Sequence, residues 1–186
     1  MRDQSHRLEL DSIAYLLLQA TNNTWYPEGF MQPLVRNEPA LSHALEVVDK
    51  AVNLCIEKAF GRERTALVGF SQGACLATEY LGRNPGRYGA LIAWTGGRLG
   101  PTSALWNEKA DYLSTPMFFG IGSEDPWVPL NRVTETADWF RAHGAHVVNK
   151  TYADRSHHIC DDEIASARAI LKMVGIFRER RRDPCL

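Results

Sequence analysis

Thr65-Ala-Leu-Val-Gly69-Phe70-Ser71-Gln72-Gly73-Ala74-Cys-Leu-Ala-Thr-Glu-Tyr-Leu81 is the stretch that decides the fold. Thr65 to Gly69 is a short apolar run with the character of a buried strand, and Ala74 to Leu81 reads as a helix ended by Gly82 and Pro85. Between them, Gly69 to Gly73 is a G-x-S-x-G turn in the strand–turn–helix context of a nucleophile elbow. The turn is so tight that side chains beside the serine would collide, and glycine on both flanks relieves the crowding. Ser71 then projects from the carboxyl end of the strand. The backbone N–H of Gln72, at the start of the helix, lacks an intrahelical partner and is the expected oxyanion donor.

Working outward, the same alternation recurs. Ile13 to Leu18 (Ile-Ala-Tyr-Leu-Leu-Leu) reads as a strand buried on both faces, as in parallel sheets. Thr21 to Pro39 mixes Asn, Pro and Gly with Trp25, Tyr26 and Phe30, and is expected to be a long ordered loop of functional kind. From Glu38 to about Phe60, Leu41, Ala44, Leu45, Val48, Val52 and Ile56 recur at helical spacing, with Gly61 as the stop. Further strands are expected at Tyr88 to Trp94, Pro116 to Ile121 and Val147 to Tyr152. Arg132 to His143, closed by Gly144, and Asp161 to Phe177 have helical patterns. Strands alternating with helices predict an α/β class, a mostly parallel sheet flanked by helices on both sides. Residues 1–186 then form one domain, with 1–12 and 178–186 irregular.

A serine hydroxyl is a weak nucleophile and needs a base, which in turn needs an orienting acid. In this architecture the acid and then the base follow the serine along the chain. Asp125, in Gly122-Ser-Glu-Asp-Pro126, stands just after a strand, where catalytic groups gather in open sheets. Glu124 is the rival, with a longer side chain expected to point to solvent. His157 and His158 follow the last strand and precede the last helix, and spacing alone does not choose between them. His157, His158, Asp161 and Asp162 could be read as metal ligands, but adjacent histidines point apart, so no metal is expected. His6, His43, His143 and His146 read as surface or packing residues. Trp25, Tyr26, Phe30, Trp94 and Trp127 could supply an apolar pocket wall.

Composition narrows the class. The chain has 186 residues, 45% hydrophobic and 23% charged, with a net charge of −1. That balance excludes a broad basic footprint for nucleic acid. The one basic run, Arg178 to Arg182, reads as a solvated tail. No apolar run reaches the roughly 20 residues needed to span a bilayer, so no stable membrane insertion is expected. Cys55, Cys75, Cys160 and Cys185 are scattered and form no CxxC pair, which points to reduced thiols and a cytoplasmic setting.

Gly69-Phe-Ser-Gln-Gly73-Ala74, Gly122-Ser-Glu-Asp-Pro126 and His157-His-Ile159 together resemble the phospholipase/carboxylesterase family of small serine esterases, which includes the acyl-protein thioesterases. The likeness runs from about Ala14 to Val174. It implies an α/β-hydrolase fold and hydrolysis of carboxylic esters, with thioesters and lysophospholipids as alternatives, by Ser71, Asp125 and His157 through an acyl-enzyme. No cofactor is implied. The family places its histidine two residues before an Ile and six before a Glu, matching His157, Ile159 and Glu163. Thr24-Trp25-Tyr26-Pro27 resembles a family loop lining the substrate pocket, so Trp25, Tyr26, Phe30 and Trp127 are the expected substrate-binding residues. Family members begin with a strand and a His-Gly-x-Gly-like loop giving a second oxyanion N–H, whereas residues 1–12 hold no glycine. The chain is therefore expected to lack that strand and loop, at a typical cost of about 10²- to 10³-fold in turnover. That absence motivates a second expectation, a catalytically impaired hydrolase fold used for binding or as a homodimer.

Overall fold

The computed structural model describes residues 2–176, apart from 9, 12, 60 and 103–105. Arg178 to Arg182, Phe177 and Cys185 lie outside the described residues. Four strands, β1 (Ala66–Phe70), β2 (Ala90–Trp94), β3 (Pro116–Gly122) and β4 (His146–Tyr152), form one sheet in the order β1-β2-β3-β4. All three pairings are parallel, so every carboxyl end opens on the same side. β2 is buried along its whole length and β3 nearly so, which is why both read as continuous apolar runs.

Alternation along the strands sorts the core into two layers. Leu67, Leu91, Ala93, Met117, Phe119 and Ile121 face a cluster shared with α2 (Ala40–Ala59), α3 (Gln72–Arg83) and α4 (Leu130–Ala142). Ala90, Ile92, Trp94 and Phe118 face the opposite cluster, which includes α1 (Arg2–Leu8) and α5 (Asp161–Ile176). The result is an α/β sandwich of helix, sheet and helix. Among the described residues, no helix is long and apolar enough to cross a membrane.

Several expectations require correction. Ile13 to Leu18 forms no strand. Tyr15, Leu16 and Leu17 are exposed, while Ile13 packs on one core cluster and Leu18 on the other. A strand buried on both faces needs hydrogen-bonded neighbours, and this run pairs with no strand among the described residues. Residues 2–8, expected to be irregular, are helical, with Leu8 buried and the Arg168 guanidinium donating to the Arg7 and Leu8 carbonyls. The alternation also lapses once, because the β2–β3 connection contains no helix among its described residues. Gly82 does not stop α3. It lies inside the helix because Trp106 packs where a Cβ would be, only 2.3 Å away, and the helix ends at Arg83 ahead of Pro85.

Candidate active site

Ser71 sits between the end of β1 and the start of α3 with φ 54° and ψ −123°, a conformation that costs a non-glycine residue of order 1–3 kcal/mol. Two features hold it there. Its N–H donates to the Trp94 carbonyl at 2.9 Å, extending the β1–β2 pairing, and its own carbonyl accepts from Ala74 and Cys75 as the first helical acceptor. Gly69 is needed for this bend, since a Cβ there would lie 2.4 Å from the Gly73 carbonyl oxygen. Gly73 is not needed in the way expected. A Cβ at that position meets only the Trp25 indole nitrogen, at an ordinary 3.9 Å.

The structure brings Ser71, Asp125 and His157 together from three strand ends. His157 Nε2 is 2.9 Å from Ser71 Oγ, and His157 Nδ1 is 2.8 Å from Asp125 Oδ2. A carboxylate only accepts, so the imidazole carries its proton on Nδ1, donates it to Asp125, and accepts the Ser71 hydroxyl proton at Nε2. Asp125 is fixed by its own turn. Its Oδ1 accepts the N–H groups of Trp127 and Val128, each at 2.9 Å, so both carboxylate oxygens are occupied and the side chain is 1% exposed. The Phe70 ring packs against the imidazole with centroids 4.9 Å apart. Glu124 and His158, the rivals in sequence, are both exposed. No cluster of three or more metal-ligating side chains occurs among the described residues.

Beside Ser71 lies a cavity of about 440 Å³, lined by Tyr26, Glu28, Gly29, Phe30, Gln72, Cys75, Trp127, Val128 and His157. Tyr26, Phe30 and Trp127 thus lie where the pocket wall was expected. Trp25 does not line the cavity and packs against the core instead. Trp94 is fully buried on the far side of the sheet, because its strand position alternates away from the site. Cys75 is a nucleophile in principle, but burial pushes its thiol up to about 11. It stays protonated at neutral pH and does not compete with Ser71.

One contributor has no signature in the sequence. The backbone N–H of Gln72 has no acceptor ahead of it in the helix, as expected. Its side chain does separate work. Oε1 accepts from Trp25 N–H at 2.7 Å, and Nε2 donates to the Tyr26 carbonyl at 2.8 Å. A single amide therefore ties the pocket loop to the elbow helix. Thr24 Oγ1 also accepts from Nε2, at 3.2 Å, and all three partners lie 46 to 48 residues away, so nothing local in the sequence signals the contact.

Comparisons with known proteins agree with this geometry. Residues 12–174 match the family model described as Phospholipase/Carboxylesterase. Over 133 residues the chain is 26% identical to acyl-protein thioesterase 1 of Saccharomyces cerevisiae, covering 70% of this chain and 58% of that protein. It therefore spans less than two thirds of that relative. A crystal structure of a phospholipase/carboxylesterase from Dyadobacter fermentans is 42% identical, with a TM-score of 0.78, covering 83% of this chain and 74% of the other. Arabidopsis thaliana SOBER1, 19% identical with a TM-score of 0.73 over 92% of this chain and 90% of its own, is alike in fold. With the match running through nearly all of the described sheet and helices, and the elbow, acid and histidine in place at its strand ends, the chain belongs to the phospholipase/carboxylesterase family of α/β-hydrolases.

Proposed function

We propose that this chain hydrolyses carboxylic esters through an acyl-enzyme on Ser71. The observation that carries the reading is the unbroken relay from Ser71 Oγ to His157 Nε2 at 2.9 Å and from His157 Nδ1 to Asp125 Oδ2 at 2.8 Å, opening on an apolar cavity. Ser71 Oγ attacks the acyl carbon as its proton passes to His157 Nε2. Asp125 holds the imidazole in the required tautomer and stabilises the imidazolium. The negative charge on the former carbonyl oxygen faces the Gln72 N–H at the head of α3, where the unpaired backbone donors and the helix dipole favour an anion. Collapse of the tetrahedral intermediate breaks the bond to the leaving group, which takes the proton from His157. Water then repeats the sequence on the acyl-serine and restores the free hydroxyl.

Tyr26, Phe30, Trp127 and Val128 at the cavity favour small acyl or aryl esters, and a thioester or lysophospholipid acyl group presents the same carbon to Ser71. The chemistry calls on no cofactor. The thiols of Cys55, Cys75 and Cys160 are free, which fits a reducing, cytoplasmic compartment. The test is turnover of p-nitrophenyl acetate and butyrate. Turnover that vanishes in Ser71→Ala supports the reading, and turnover that survives it refutes the assignment. A chain that turns over neither ester would instead be a hydrolase fold serving as a binding module.

A further inference from the structure

The loop bearing His157 is closed by a buried ion pair that the chemistry above does not use. Arg155 is 5% exposed and Glu163 is 0% exposed. Glu163 stands in the first turn of α5. Its Oε1 accepts from Arg155 Nη2 at 3.2 Å, and its Oε2 lies 2.9 Å from Arg155 Nη1. The same Oε2 accepts the N–H of Cys160 at 2.9 Å, the carboxylate half of a capping box at the head of the helix. One carboxylate therefore grips both ends of the segment 155–160, and His157 lies between them.

The grip extends to the acid loop. The Arg155 carbonyl accepts the N–H of Glu124 at 3.1 Å, one residue before Asp125, and Asp154 N–H donates to Ser123 Oγ at 3.1 Å. β3 provides the space. A Cβ on Gly120 would lie 2.3 Å from Glu163 Oε1, and one on Gly122 would lie 2.0 Å from the Arg155 carbonyl oxygen. The guanidinium packs over the Tyr152 ring, 4.9 Å from its centroid. Two strand glycines, a buried cation and a buried anion thus converge on the junction of the Asp125 and His157 loops.

Stability alone does not account for this arrangement, because well-packed apolar side chains commonly replace a buried ion pair without loss. We infer that Arg155 and Glu163 are positioning residues that hold His157 between Ser71 and Asp125. Its kinetic consequence rests on the proposed hydrolase reading, whereas the placement of the imidazole does not. A loop released by even 1 Å takes Nε2 out of line with Ser71 Oγ, a displacement that costs on the order of 10²-fold.

The double variant Arg155→Met/Glu163→Met removes both charges and keeps the bulk. It is expected to stay folded and to melt modestly below the wild type, because the Cys160 N–H loses its acceptor at the head of α5. It is also expected to lose the strongly deshielded NMR signal of the His157 Nδ1 proton shared with Asp125, and to react with a fluorophosphonate about 10- to 100-fold more slowly. Arg155→Met/Glu163→Gln, which removes both charges but leaves an amide oxygen to accept the Cys160 N–H, should recover part of both. A folded double variant with the wild-type proton signal and labelling rate overturns the inference. If the double variant does not fold, Arg155→Lys decides. The charge remains but the two-point grip is lost, so an unchanged signal and rate there overturn it, and a weakened signal with slower labelling supports it. A wild-type chain that shows the proton signal but neither labels nor turns over esters would refute the hydrolase reading. The proton signal of the variants would still test the positioning role.

Discussion

Two apolar runs of similar composition have opposite fates in this molecule. Ala66-Leu-Val-Gly-Phe70 is a strand with its partner beside it, and it delivers Ser71 to the site. Ile13-Ala-Tyr-Leu-Leu-Leu18 is no strand, and its Leu16 is 48% exposed. Hydrophobicity is common to both and decides neither. A run becomes a strand when a neighbour satisfies its backbone groups, and β1 pairs with β2 whereas 13–18 pairs with no strand among the described residues. The catalytic end is also fixed by contacts that tolerate almost no alternative, such as the 2.4 Å approach at Gly69 and the two occupied oxygens of Asp125.

That contrast sets the order of expected effects. The largest is at the elbow. Ser71→Ala should lower ester turnover by about 10⁴- to 10⁶-fold with little change in melting temperature, whereas any substitution among residues 15–17 should leave turnover nearly intact. Next is stability. Leu67→Ala, in β1 and 7% exposed, should cost about 2–5 kcal/mol, against about 0.5 kcal/mol or less for Leu16→Ala or Leu17→Ala. Urea unfolding measures the difference, and equal costs would mean that the N-terminal run is packed like a strand.

Two smaller effects probe the ground behind the elbow. The Cys75 thiol has a pKa of 9.0 when unperturbed, and burial raises it to about 11. The unfolded chain therefore ionises first as pH rises. The stability that the buried neutral thiol confers is complete below pH 9 and is lost on approaching about pH 11, on the order of 2 kcal/mol. Cys75→Ala should flatten that alkaline decline, and an unchanged slope would show that the thiol does not drive it. Gln72→Ala keeps the backbone N–H but releases the Trp25–Tyr26 loop. Loss of hydrogen bonds worth about 1 kcal/mol each should reduce kcat/KM several-fold, chiefly through KM, and an undiminished kcat/KM would mean that the loop holds itself.

The same contrast explains what was legible in the sequence. The β1–Ser71–α3 unit was readable because its signals are local, a turn bounded by an apolar run and a helical pattern. Chain order and strand ends narrowed the acid to Asp125 or Glu124 and the base to His157 or His158, and only the family resemblance singled out His157. The Gln72 amide contacts were invisible because their partners, the Thr24 hydroxyl and the Trp25 and Tyr26 backbone, lie 46 to 48 residues away along the chain. Trp94 was misplaced on the pocket wall because an aromatic count ignores which face of a strand each residue takes. Gly73 looked as necessary as Gly69, since a motif does not say which of its glycines is crowded. Ile13 to Leu18 misled because pairing depends on a neighbouring strand, and a run of six residues does not encode whether one is there.

The most direct test of the central claim is to treat the purified chain with a fluorophosphonate and locate the adduct by peptide mass spectrometry. The account predicts a single adduct on Ser71, abolished by Ser71→Ala and strongly slowed by His157→Ala. No adduct on the wild type, or an adduct whose rate is indifferent to His157, would contradict it.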